Sequence, residues 1–135
     1  MRFSLTTWNI NSVRLRMDLV ARFLKSARPD ILCLQETKCI DDAFPLKRFR
    51  RLGYQHIALN GQKGYHGVAV VSKLPFESTG IRTFCDRIDS RHITVAFGAA
   101  AKSQADANDT TARVGGRLAP VTTRPEPRCS GRRSG

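Results

Sequence analysis

The sequence predicts an α/β fold. Three observations carry that reading: a nearly all-apolar run at residues 30–35, an amphipathic stripe just before it, and a short aromatic- and threonine-rich segment before that. Strand, helix and strand at this spacing make an α/β unit.

Residues 2–9 read as the first strand, closing in the turn-like Asn9-Ile10-Asn11. Asn11 or Ser12 is a suitable helix cap. Val13, Met17, Val20, Leu24 and Ala27 then recur at helical spacing, which defines one apolar face. Arg14, Arg16, Arg22, Lys25 and Arg28 fall off that stripe and are expected to face solvent or ligand, and Pro29 stops the helix. Residues 30–35 lack polar alternation, the mark of a strand buried on both faces. A second helix is expected over residues 45–52, terminated by Gly53. Residues 54–59 read as a strand, 60–67 as a glycine-rich loop and 68–72 as another apolar strand. Residues 73–89 are mixed, with turn signals at Pro75 and Gly80. Ile93, Val95 and Phe97 alternate, so 91–97 reads as a half-buried strand.

Past Gly98 the character changes. All ten aromatic residues lie between Phe3 and Phe97, and the last 37 residues hold none. Residues 99–106 are expected to form at most a short helix or hairpin. Residues 111–135 have no period and carry Pro120, Pro125 and Pro127 among six arginines. Two regions follow: 1–98 as the N-terminal portion of a folded domain, and 99–135 as a low-complexity, disordered or frame-shifted tail.

The net charge of +12 is shared by both regions, +8 on 1–98 and +4 on 99–135. It points to a polyanionic partner such as nucleic acid, although anionic membranes and plain solubility are served by the same charge. There is no transmembrane run and no signal-peptide pattern at Met1–Asn11. Cys33, Cys39, Cys85 and Cys129 match no zinc spacing, and Cys33 lies in the apolar run as a small core residue. A reduced, cytoplasmic setting is expected.

Three local features could carry chemistry. Asn9 leaves a strand: its amide either bridges the turn or stands at the carboxyl end of a sheet, where α/β ligand sites gather. Glu36 directly follows the buried strand. Its carboxylate needs either an ion-pair partner, Lys38 or an arginine, or a cation such as Mg²⁺, which takes oxygen ligands and keeps several waters. The run Gly61-Gln62-Lys63-Gly64-Tyr65-His66-Gly67 sets three glycines beside a cation and a flat ring. That suits a nucleic-acid backbone, and it equally suits a plain turn between strands. His66 reads as a surface residue of that loop.

These features combine in order. Asn9 after a strand, Pro-Asp-Ile-Leu-Cys-Leu-Gln-Glu-Thr-Lys at 29–38, Gly-Tyr at 53–54, Gly-Gln-Lys-Gly-Tyr-His-Gly-Val-Ala-Val at 61–70 and Asp-Ser-Arg-His-Ile at 89–93 resemble the exodeoxyribonuclease III/AP endonuclease family. This is a branch of the endonuclease/exonuclease/phosphatase superfamily, and the resemblance covers residues 1 to about 98. It implies part of a four-layer α/β/β/α sandwich, the DNase I-like fold. It implies Glu36 as ligand of a catalytic Mg²⁺ (or Mn²⁺), with Asn9 positioning the metal and the scissile phosphate. It places Lys63, Gly64 and Tyr65 beside the DNA backbone, Arg14 near a phosphate and Arg91 in support of the fold. It gives His66 no catalytic role, since relatives carry a small or amide residue there.

The implied activity is metal-assisted phosphodiester hydrolysis in base excision repair, at abasic sites and 3′ ends of double-stranded DNA. The intact family is expected to be monomeric and to need no membrane. The same resemblance implies that the phosphate-contacting tyrosine, an Asp and Asn pair and a closing Asp-His pair lie in a second half without counterpart here. Residues 99–135 contain no tyrosine and no histidine. The expectation is therefore a truncated chain, inactive and aggregation-prone. Pro120-Val121-Thr122 resembles the start of a family strand, and the sequence beyond it reads as a shifted frame. The rival functions are another phosphodiester substrate such as a phosphoinositide, a non-catalytic nucleic-acid-binding fragment, and a product without function.

Overall fold

The computed structural model describes residues 2–83, 88–98 and 121–122. Seven strands and two helices follow in the order β1 (Leu5–Asn9), α1 (Met17–Ala27), β2 (Ile31–Gln35), α2 (Leu46–Arg51), β3 (His56–Asn60), β4 (Val68–Ser72), β5 (Ser78–Gly80), β6 (His92–Ala96) and β7 (Val121–Thr122). A short 3₁₀ turn, Asp41–Ala43, leads into α2 and was not evident in the sequence.

The strands form two sheets. The first has the order β1-β2-β4-β3, with β1 parallel to β2 and the other pairs antiparallel. The second is antiparallel, β5-β6-β7. The alternation of β2 explains its unbroken apolar run. Leu32 and Leu34 pack with α1 and α2, while Ile31 and Cys33 pack against the second sheet with Ile93, Val95 and Phe97. In β4, Ala69 and Val71 face the helices, and Val68 and Val70 face the other sheet. The described residues thus build a helical layer and two packed sheets, the α/β arrangement expected from the sequence.

The start of α1 differs from expectation. Neither Asn11 nor Ser12 caps it: both have left-handed backbone (φ 45° and 83°), and the helix begins only at Met17. The Ser12 and Val13 amides donate instead to Glu36 O (2.8 Å) and Thr37 O (3.1 Å), which holds this stretch against the end of β2. Val13 is buried as the stripe requires, but Ala27 is exposed. At the other end Arg28 adopts the left-handed conformation and donates its amide to Leu24 O. The aromatic residues brace the helical layer: Phe44 stacks on Phe49 (5.2 Å) and Trp8 meets Phe23 edge-on (5.4 Å). Tyr54 is buried, and its hydroxyl donates to Pro29 O.

The strand hidden in 73–89 is β5, three exposed residues long. Of the segment 99–135, only Val121 and Thr122 are described, and they pair with Ile93 and His92 of β6. The expected helix or hairpin at 99–106 and the proline-rich end lie outside the described residues. Among the described residues, no helix is long and apolar enough to cross a membrane.

Candidate functional site

The parallel register of β1 and β2 brings the first two candidate residues together. Asn9 is the register partner of Gln35, and Glu36 follows at once. Their side chains line one open cleft with Gln35, His66, Gly67, Val68, Ser90 and Arg91. The cleft lies at the carboxyl ends of β1 and β2, where parallel strands of an α/β sheet collect ligands.

Its walls are tied by backbone. Thr37 and Lys38 donate to Gly67 O (3.1 Å) and His66 O (3.0 Å), while the Gly67 amide donates to Ser90 O (2.9 Å). Ser90 in turn donates its amide to Gln62 Oε1 and its hydroxyl to Gly61 O, both at 3.0 Å. The 61–67 loop therefore acts as a clasp between the end of β2 and the segment entering β6. Gly67 is required in that clasp. Its φ is +85°, and an added Cβ would lie 2.3 Å from the Thr37 hydroxyl oxygen.

Left-handed backbone is concentrated here. Glu36 (φ 52°), Lys38 (φ 53°) and His66 (φ 56°) all adopt it without being glycine. Each such residue costs ~1–2 kcal/mol, and strained backbone of this kind gathers where side chains are aimed at a ligand. At Glu36 the effect is to turn the carboxylate out of the sheet. It is partly exposed rather than buried, and its Oε2 stands 3.7 Å from Lys38 Nζ. Both readings of Glu36 that the sequence left open, ion pair and metal ligand, thus have a physical basis.

Asn9 Oδ1 accepts the Asn11 amide at 3.2 Å, so it bridges its own turn while facing the cleft. Arg91 is held by Asp89 (Nε to Oδ2, 3.2 Å) and approaches His66 Nε2 at 3.0 Å. His66 is accordingly a half-buried member of the cleft wall, not the surface residue its loop position implied. The reason is the left-handed turn at 66, which no local pattern announces. Gln35 and Ser90 are further cleft residues that their own types did not single out.

Lys63, Gly64 and Tyr65 do not line the cleft. They are exposed on the neighbouring loop, with the Tyr65 ring set edge-on to His66 (5.6 Å). Arg14 is exposed too, one residue beyond the Val13 amide that binds Thr37 O. These four residues lie outside the cleft lining, whereas Asn9, Glu36 and Arg91 belong to it.

Asn9 and Glu36 supply a neutral and an anionic oxygen donor to one cleft, the chemistry a hard divalent cation takes. Among the described residues no group of three or more His, Cys, Asp or Glu could hold a metal. The arrangement fits Mg²⁺ held by one or two protein ligands and its own waters. Cys33 is a core thiol, pushed up to about 11 by burial, and belongs to no ligand set.

Comparison with known proteins bears on the family and the fold. The model of the Endonuclease/Exonuclease/phosphatase family matches residues 6–119, past the point near 98 where the resemblance in sequence was placed. Exodeoxyribonuclease III of Haemophilus influenzae is 40% identical over 67 residues, 50% of this chain and 25% of that protein. The exodeoxyribonuclease of Bacillus subtilis is 40% identical over 72 residues, 51% of this chain and 27% of that one. Among solved structures, an AP endonuclease from Archaeoglobus fulgidus superposes with a TM-score of 0.66 at 36% identity, covering 71% of this chain and 37% of its own. The 3′ phosphatase NExo from Neisseria, bound to a product DNA hairpin, gives 0.65 at 36% identity, covering 71% and 38%. The chain spans about a quarter of the two curated relatives and just over a third of the two solved chains.

Proposed function

The chain belongs to the Endonuclease/Exonuclease/phosphatase family, and on that premise we propose that it carries the metal-holding part of a DNA-repair nuclease of the exodeoxyribonuclease III and AP endonuclease kind. The observation that carries the reading is the meeting of Asn9 and Glu36 in one cleft at the ends of two parallel strands.

In this reading the Glu36 carboxylate would hold Mg²⁺, with Mn²⁺ as a substitute, and the Asn9 amide would orient the metal and the phosphate. Such an ion would supply charge neutralisation at the scissile phosphate and a more acidic water. Arg91, fixed by Asp89 and His66, keeps the 89–91 wall in place and adds positive charge to the cleft. Arg14, Lys63, Gly64 and Tyr65 meet the backbone of double-stranded DNA at an abasic site or 3′ end, by cation, by close backbone approach and by stacking. Hydrolysis also needs a water held in line with the phosphate and a base to activate it. Asn9 and Glu36 do not supply both, so the 135-residue chain is expected to bind metal weakly and to cleave little.

The test pairs two measurements on the whole chain. Mn²⁺ binding, followed by electron paramagnetic resonance, is expected to show one weak site lost in Glu36→Gln. Cleavage of an abasic duplex with Mg²⁺ is expected to stay near background. Mn²⁺ binding indifferent to Glu36→Gln overturns the metal assignment. A rapid cut abolished by Glu36→Ala overturns the expectation of low activity.

A second reading is a nucleic-acid-binding protein without chemistry. It is favoured by Lys38, whose ammonium stands 3.7 Å from the Glu36 carboxylate and can serve as its counter-ion. DNA binding that ignores Mg²⁺ but falls steeply with salt would support it.

A further inference from the structure

The two helices lie on one face of the first sheet, and their outward surface is strongly one-sided in charge. Residues 14–28 and 46–51 carry nine Lys and Arg against Asp18 alone. Asp18 is engaged by Arg48 across the two helices (2.5 Å), which joins their exposed faces into one surface. Counting Asp41 and Asp42 of the turn leading into α2 still leaves an excess of six positive charges. Asp41 is also turned aside, accepting the Gly61 amide at 2.7 Å. Arg22, Lys25, Arg28, Lys47, Arg50 and Arg51 are all exposed.

We infer that this helical face is a second contact surface for double-stranded DNA, separate from the cleft, which grips the phosphate backbone without reading sequence. Like charges held this close together on an exposed face repel one another, and an extended polyanion that neutralises them is attracted to that face. The surface begins beside the cleft, where Ser12 and Val13 are tied to Glu36 and Thr37, and runs the ~16 Å length of an eleven-residue helix. A duplex carries one phosphate charge per ~1.7 Å of axis, so α1 alone spans several. Seven of the nine cations are arginines, whose planar fork matches phosphate oxygens. A membrane surface is a poorer match. An interfacial helix needs an outward apolar face to insert, and here Met17, Val20, Leu24 and Phe49 are spent on the core. Leu15 and Leu19 are the only large apolar residues exposed on α1 and the turn before it, at the cleft end.

The inference stands apart from the cleavage reading and is tested without metal or turnover. Binding of an undamaged 20-base-pair duplex by the full chain is measured in EDTA across a salt series. Four substitutions are compared: Arg22→Gln, Lys25→Gln, Arg50→Gln and Arg51→Gln, singly and combined. Each substituted contact is expected to flatten the slope of log K against log salt by about 0.9, and the quadruple variant by about 3 to 4. The measurement is made with no metal present, so loss of the metal reading and loss of this one are separable. All four positions are exposed, and matching thermal melts by circular dichroism establish that the variants fold. If the quadruple variant melts early, the single variants are read instead. A wild-type chain that does not bind the duplex at low salt, or a slope unmoved by the substitutions, overturns the inference. So does loss of binding to phosphatidylserine vesicles with DNA binding intact.

Discussion

Gly67 and Gly64 occupy the same left-handed backbone, φ +85° and +84°, and differ in what surrounds them. Around Gly64 nothing lies within 4 Å of an added Cβ, whereas at Gly67 the buried Thr37 hydroxyl is 2.3 Å away. Gly64→Ala is therefore expected to cost only the left-handed penalty, ~1–2 kcal/mol. Gly67→Ala adds a clash at the hinge of the clasp and should exceed ~3 kcal/mol. Urea midpoints of the two variants check this, and equal losses would refute the role given to Thr37. Glu36 and Asn9 were legible as residues because each ends a strand pattern. His66 was not, because its place in the cleft depends on Arg91, 25 positions away, and on a positive φ that histidine does not advertise.

At the scale of the element, α1 shows two consequences of its ends. Arg28 holds a left-handed C-terminal position that glycine fills at no steric cost. Arg28→Gly is expected to raise stability by ~1 kcal/mol, less whatever the Arg28 Nε bond to Lys25 O contributes. A lowered melting temperature would count against it. The Asp18–Arg48 pair joins α1 to α2, and Arg48 holds the Asp18 carboxyl below its ordinary value, first by hydrogen bond and then by charge. A carboxyl lowered on folding stabilises the folded state above its ordinary range, and that contribution is lost as pH falls through the lowered value. Asp18→Asn should therefore narrow the difference in stability between pH 7 and pH 3, by a small amount because both side chains are exposed. Denaturation curves at the two pH values test this, and an unchanged difference would show the pair to be without weight. The late start of α1 was not legible. Asn11 and Ser12 are good caps by type, but the amides of Ser12 and Val13 are taken by the carbonyls at the end of β2.

At the scale of the whole molecule, the first sheet ends in two outer strands, β1 and β3, each with one strand neighbour among the described residues. Among the described residues β1 pairs only with β2, and its face away from the helices carries exposed Leu5, Thr7 and Asn9. Leu5 is 43% exposed. An open edge with an apolar residue on it is a template for pairing with another chain. Self-association of the 135-residue chain is expected to grow with concentration and to be reduced by Leu5→Lys, as read by sedimentation velocity. Association indifferent to that change would place the contact elsewhere.

The sequence by itself determined the central strands, the helical stripe and the donors. Residues 31–35 and 68–72 could only be central strands, because apolar side chains on both faces of a strand must be covered on both sides. The motif order around Asn9, Glu36 and the 61–67 loop identified the family. Tertiary structure decided which of these residues share a space. It put Asn9 and Glu36 in a cleft with His66 and Arg91, and left Arg14, Lys63, Gly64 and Tyr65 exposed outside its lining. The physical reason is that periodicity reports which side of an element is buried, whereas a cleft is made by strand register and by turns of positive φ between distant segments. Neither of those leaves a periodic trace in the chain.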